Sequence, residues 1–375
     1  MNSKLSLALV GLCLPLSVAA ADGEQQEDWL DTLLTELGSS ETINVEDGID
    51  WGVLPGPFVN PEQGFGFGVA AVGLYAPGDW VETTPYSTLS VKSYVSTSGS
   101  YGLGVENRTY LKGDTLRILA DGWISHAPGY YWGIGRKAAE QSGNKTKQEA
   151  QILKLSPKVS YQFLPETYFT FGWDFQQVTD QESDGPVLSG SALDDSTSSG
   201  ALFTLEYDSR DFEPNPEKGR LLSLEWVTYR EALGSDFDYD RVTLNYREYL
   251  RVSSQSIVAW EVYGQGVTGD IPWYAYSELG SDKRMRGYYV GQYRDRYQLS
   301  TQIEWRHQFN TRHGMVAWVG AGNIARDADR LFGETWLPTA GLGYRFAFKP
   351  RINVRFDFGV GKDSSGFYFH INEAF

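Results

Sequence analysis

Tyr297-Gln-Leu-Ser-Thr-Gln-Ile-Glu-Trp-Arg-His-Gln-Phe309 changes character at every step. Tyr297, Leu299, Thr301, Ile303, Trp305 and Phe309 fall on one parity, and Gln298, Ser300, Gln302, Glu304, Arg306 and Gln308 fall on the other. Successive side chains of an extended chain point to opposite faces, so this stretch makes a strand with one apolar and one hydrophilic face. At thirteen residues it is longer than the usual strand of a soluble sandwich, about 5 to 6 residues, and its polar face carries charge. A wet lumen on one side and lipid on the other explain both features.

The same period runs outward from this stretch. Val242, Leu244, Tyr246 and Leu250 alternate with Arg241, Thr243, Asn245, Arg247 and Arg251, and Ile352, Val354, Phe356 and Phe358 alternate with Arg351, Asn353, Arg355 and Asp357. Such segments are predicted at 51–60, 65–76, 87–97, 101–111, 115–127, 150–164, 167–179, 200–210, 219–231, 239–252, 255–268, 297–309, 314–325, 335–348, 351–361 and 366–375. Sixteen is an even number, as a single-chain bacterial barrel requires with both of its ends in the periplasm. The expected periplasmic turns are mostly short (Lys112-Gly113-Asp114, Pro165-Glu166, Lys349-Pro350), while 128–149, 180–199 and 269–296 lie on the outer side. The fold class read here is therefore all-β: a single 16-stranded antiparallel transmembrane β-barrel over residues 51–375.

Composition agrees. Aromatic residues make up 14% of the chain, with 23 Tyr, 19 Phe and 12 Trp, as the interfacial girdles of a barrel require. No run of 18 apolar residues offers a membrane helix. The formal charge of −16 makes nucleic acid an improbable partner. Residues 1–21 read as a signal peptide: Lys4, an apolar run from Leu5 to Val18, then Ala19-Ala20-Ala21. Its expected removal takes away Cys13, the one cysteine, and with it thiol catalysis and thiolate metal sites. Residues 22–50 hold ten acidic residues and no basic one, with Trp29, Leu30, Leu33, Leu34 and Leu37 at helical spacing. They read as an acidic periplasmic leader, either a short amphipathic helix or a disordered tail.

The four histidines, His126, His307, His313 and His370, show no nucleophile or ligand spacing. No catalytic residue, metal ligand or cofactor is therefore assigned, and the chain is not read as an enzyme. The last predicted strand, Gly366-Phe-Tyr-Phe-His-Ile-Asn-Glu-Ala-Phe375, places Phe367, Phe369, Ile371 and Phe375 on one face.

The connection after the eleventh strand carries Met285-Arg286-Gly287-Tyr288, and the next strand carries Glu304. With Asp208-Ser-Arg210 to Gly219 and Pro61-Glu62-Gln-Gly64, these motifs resemble the bacterial surface antigen superfamily over residues 51–375. Its members include the central barrel of the barrel assembly machinery and the two-partner secretion transporters. The hallmark is a hydrophobic-Arg-Gly-aromatic tetrapeptide in the sixth outer loop, followed by a strand with an inward Glu.

The resemblance implies an outer-membrane location and a long sixth loop folded into the lumen, with Arg286 latched to Glu304. It also implies that the terminal Phe375 is read by the assembly machinery during biogenesis, that the barrel lies in outer-membrane lipid, and that protein or lipid is the substrate. A porin-like or structural barrel is the alternative. Gly320 stands where the family has an Asp, so the latch rests on Glu304 alone or borrows Glu261 or Asp357. The 29 residues between the expected cleavage site and the barrel leave no room for the family's POTRA domains. Pro55 and Pro57 each remove a backbone donor from the first strand, which leaves its seam with the last strand, at Phe375, weakly bonded. In larger relatives that seam is a lateral gate; here the prolines either favour opening or mark a short terminal strand.

Overall fold

A computed structural model of the chain describes residues 44–375 except 46, 47, 61, 79, 82, 83, 334 and 350. The expected signal peptide and nearly all of the acidic leader, including its helix, lie outside the described residues. Among the described residues, sixteen long strands form one antiparallel sheet, to which the three-residue strand Gly129–Tyr131 adds by pairing with Thr146–Gln148. β1 (Asp50–Asn60), β2 (Gly64–Tyr75), β3 (Ser87–Ser96), β4 (Tyr101–Leu111) and β5 (Leu116–His126) come first. β6 (Thr146–Leu164), β7 (Thr167–Ser183), β8 (Ser196–Asp208), β9 (Gly219–Tyr229), β10 (Tyr239–Arg251) and β11 (Ser256–Gly269) follow. β12 (Tyr297–Gln308), β13 (His313–Ala325), β14 (Leu337–Lys349), β15 (Ile352–Gly361) and β16 (Ser364–Ile371) complete the wall.

Each strand pairs with its sequence neighbours, from β1–β2 to β15–β16. The barrel is therefore nearly closed, with one unsealed seam between β1 and β16. No described helix is long and apolar enough to cross a membrane, so the strands do the crossing.

The stretch Tyr297–Phe309 inverts the ordinary rule of burial. Gln298, Ser300, Gln302, Glu304 and Arg306 are buried, whereas Ile303 and Trp305 are exposed. The same holds around the wall: Val95 and Leu342 are more than 60% exposed, and the outward parity of most strands is apolar. So large an apolar surface belongs against hydrocarbon, and the polar groups must satisfy one another inside.

Two strands exceed their expected length most, by four residues each. β6 and β7 continue the ladder through Gln148↔Ser183, Glu149↔Glu182 and Gln151↔Thr179, with a bulge at Glu149/Gln151. These residues are polar on both faces, so hydrophobic periodicity loses them while backbone pairing does not. The outer connections shorten accordingly to 127–145 and 184–195. At the other end, β16 is shorter than expected, ending at Ile371 rather than at Phe375.

Candidate functional site in the lumen and at the seam

The connection from β11 to β12 covers residues 270–296 and folds into the barrel. Its base is a small ribbon pairing Ser277–Glu278 with Arg294–Asp295, tied by Arg294 to Glu278 at 2.8 Å. Between the two arms the chain descends to Met285, which adopts φ +50°, and Gly287 at φ +103°. Met285 buries against Leu279, Tyr288, Tyr293, Ile324 and Leu337, an apolar island on an otherwise polar inner wall.

Arg286 is fully buried. Its Nη1 donates to Asp357 Oδ2 at 2.5 Å and its Nη2 to Glu304 Oε2 at 2.6 Å. The guanidinium lies 3.5 Å over the Trp318 ring, which replaces water on that face with a π surface. Its backbone carbonyl accepts Thr339 Oγ1 at 2.6 Å. Of the two carboxylates that sequence offered besides Glu304, Asp357 is the partner; Glu261 pairs instead with Arg247 at 2.9 Å and Arg284 at 2.7 Å. The guanidinium thus holds β12 and β15 together, a directional contact that strengthens where water is scarce.

Around this pair the charges balance locally. Asp357 also accepts Arg345 at 2.6 Å and Arg355 at 2.9 Å, and Glu304 accepts Arg306 at 2.8 Å. Arg345 reaches Glu373 at 2.7 Å and Arg355 reaches Asp282 at 3.1 Å. Trp318, Arg345, Arg355 and Glu373 were not singled out from sequence as part of this site. The available signal was that Arg345, Arg355 and Asp357 all occupy inward parity.

Gly287 is required twice over. Its φ lies where L side chains are strained, and a Cβ would stand 2.7 Å from the Val360 carbonyl carbon and 2.8 Å from that of Gly359. Gly359 faces it in return, with its own Cβ position 2.8 Å from the Arg286 carbonyl carbon. Loop and wall therefore meet backbone to backbone. Gly287→Ala is expected to cost the docked loop about 2–4 kcal/mol from strain and overpacking. Limited proteolysis within 279–293 should accelerate at least about tenfold, and an unchanged rate would remove the reason for a glycine there.

The loop also grips both sides of the seam. Gly287 N–H donates to Tyr368 Oη of β16 at 2.9 Å, and Tyr288 Oη accepts Lys362 N–H at 2.8 Å. On the other side, Val290 N–H donates to Glu62 in the β1–β2 turn at 2.7 Å. Burial pushes the Glu62 carboxyl up to about 7, against the lowering effect of that hydrogen bond.

At the seam itself, Pro55 lies opposite Val69 and Pro57 opposite Phe67 in a β1–β2 register that runs unbroken from Asp50 to Asn60. An unbroken register through two prolines implies that their nitrogens point away from β2, towards the seam. No ladder joins β1 to β16 among the described residues. Side chains meet there instead: Leu54 packs with Phe348 and Val354, beside Phe346, Phe356, Phe369 and Ile371. Gly56 sits so close to Phe369 that a Cβ would be 2.5 Å from its ring.

Phe375 lies away from the seam, contrary to expectation. Asn372 turns at φ +69° and donates its N–H to Asn353 O at 2.7 Å, which ends the strand one turn early. The final residues bend inward, where Phe375 buries against Tyr249, Ala259 and Ala374 and its carbonyl accepts Arg306 Nη2 at 2.8 Å. The ion pair of Glu373 with Arg345 offsets the lost ladder bonds. The tail and the Arg286 cluster thus share a network, since Arg306 also holds Glu304.

Comparison with known proteins agrees with this fold. No curated protein sequence matches the chain. Among solved structures it is similar to BamA from Haemophilus ducreyi lacking POTRA domains 1–3, with TM-score 0.54 and 12% identity over 92% of this chain and 78% of that one. CdiB from Escherichia coli gives TM-score 0.55 and 11% identity over 90% and 68%. CdiB from Acinetobacter baumannii gives TM-score 0.54 and 12% identity over 86% and 59%. At such identities the likeness is one of fold. The described residues contain no POTRA domain. The family model of the Omp85 superfamily domain matches residues 89–375, three quarters of the chain, including the whole β11–β12 connection and β16. The chain therefore belongs to the Omp85 superfamily, as an outer-membrane β-barrel.

Proposed function

We propose that this barrel assists the insertion or translocation of protein or lipid at the outer membrane, with loop six as the internal latch and the β1–β16 seam as a lateral opening. The observation that carries this reading is the seam. Fifteen junctions of the wall are hydrogen-bonded ladders, whereas the sixteenth is held by side chains and by the loop. A sheet edge with unpaired backbone groups is a template for another strand, and its exposure to lipid is costly unless it is transient or covered.

Loop six touches both edges, through Tyr368 and Glu62, and releasing it removes contacts from both at once. Met285, Arg286, Gly287, Tyr288 and Glu304 then act as the latch, and Pro55 and Pro57 keep the first strand poor in donors. The family resemblance supports the same direction, because its well-studied members handle outer-membrane or secreted proteins.

Hydrogen exchange of the full chain in detergent tests the reading. Amides of residues 51–60 are expected to exchange at least about tenfold faster than those of β10–β12, since local opening free energies follow backbone pairing. Equal protection of the two regions would overturn the lateral opening.

A further inference from the structure

Between loop six and the inner wall lie two adjoining open cavities of about 430 and 420 Å³, which share Glu106, Arg108, Trp123 and Lys283. The larger one reaches His370 and Ile371 of β16, just inside the seam. Nearly every cation lining this space has a carboxylate within 4 Å. Lys92 pairs with Glu106 at 3.0 Å, Arg108 with Asp121 at 2.8 Å and Lys158 with Asp121 at 3.1 Å. Arg241 pairs with Asp174 at 3.1 Å, Arg247 with Glu261 at 2.9 Å and Arg355 with Asp282 at 3.1 Å.

Lys154 and Lys283 break the pattern. Both line the 420 Å³ cavity, and neither has a carboxylate within 4.0 Å among the described residues. They come from opposite sides: Lys154 from β6, and Lys283 from loop six, where its carbonyl is pinned by Gln302 Nε2 at 2.9 Å. Burial pushes the Lys283 ammonium down, only partly relieved by the nearby charges of Asp282 and Glu106 and opposed by Lys92 and Arg247. The lining of the 420 Å³ cavity holds five cations and four carboxylates, Glu225 among them, so with two ammonium groups outside any ion pair the space is short of negative charge by one.

We infer that this chamber is an anion site in which Lys154 and Lys283 hold a phosphate-class group. One singly charged phosphate balances the excess, and compact ammonium donors suit the several oxygens of a tetrahedral anion. Ser156, which lines the same cavity, offers a hydroxyl donor to it. Because Lys283 is two residues from Met285, an occupant here also tethers loop six to the wall. The site rests on lumen side chains alone and stands whether or not the seam opens.

The test uses the full chain in a zwitterionic detergent. Calorimetric titration with inorganic phosphate, against chloride at matched ionic strength, is expected to show one site. The double variant Lys154→Gln/Lys283→Gln should weaken it at least about tenfold while retaining the heat-modifiable mobility of a folded barrel. Native mass spectrometry with dioleoylphosphatidic acid, against dioleoylphosphatidylcholine, separates the sources. Retention of the anionic lipid that the double variant abolishes makes the occupant a lipid headgroup; phosphate binding without lipid retention makes it a free anion. No phosphate binding, or binding that the double variant leaves unchanged, overturns the site.

Discussion

Arg286→Ala is expected to turn a quiet barrel into a conducting one. The substitution deletes two charge-assisted hydrogen bonds, to Glu304 and Asp357, and a stacked contact over Trp318. Removing one member of a buried ion pair typically costs 3–5 kcal/mol, because the partner stays buried without compensation. Here the stranded carboxylates keep Arg306, Arg345 and Arg355, so the lower end applies. About 3 kcal/mol corresponds to roughly a hundredfold rise in the population with the loop undocked.

Single-channel recording in planar bilayers reads this as long open events that are rare in the parent protein. Arg286→Lys should fall between the two, since a single ammonium cannot span Glu304 and Asp357 as the guanidinium fork does. A parent barrel that already conducts, and that ignores both substitutions, would be a passive pore in which loop six gates nothing.

Asp357→Asn is expected to damage the fold more than the latch. Asp357 is fully buried and accepts three guanidiniums, from Arg286, Arg345 and Arg355 at 2.5, 2.6 and 2.9 Å. Each arginine retains one further acid, respectively Glu304, Glu373 and Asp282, so no charge is left wholly alone. The local balance nevertheless shifts by one positive charge at a fully buried position, and about 3–5 kcal/mol of barrel stability should be lost. Urea titration of heat-modifiable mobility measures it. Arg286→Ala/Asp357→Asn removes one charge of each sign and should be less damaging than the sum of its parts, by about 1–3 kcal/mol. Strict additivity would mean that the two groups do not act as a pair.

Much of the fold was legible in the chain because period two is a property of extended backbone and needs no tertiary information. The sixteen strands, their inward and outward faces, and the lumen side of Glu304 follow from it, whereas the place of Arg286 in that lumen was implied by the family resemblance of the Met285–Tyr288 tetrapeptide. It missed the tops of β6 and β7, where both faces are polar and pairing continues on backbone bonds alone. It extended the last strand to Phe375 because the side chains still alternate there. The backbone instead turns at Asn372, paid for by hydrogen bonds and an ion pair with distant strands.

The amino-acid sequence by itself determined that this chain is an outer-membrane barrel with a tethered loop, since alternation, aromatic content and the Met285–Tyr288 tetrapeptide are local features. Tertiary structure alone decided that Asp357 rather than Glu261 joins Glu304 on Arg286, where Phe375 rests, and that β1 and β16 touch without a ladder. The physical reason is register. Which inward residue of β12 faces which of β15 depends on how every intervening strand is staggered around the closed wall, a sum of pairings that no single strand encodes.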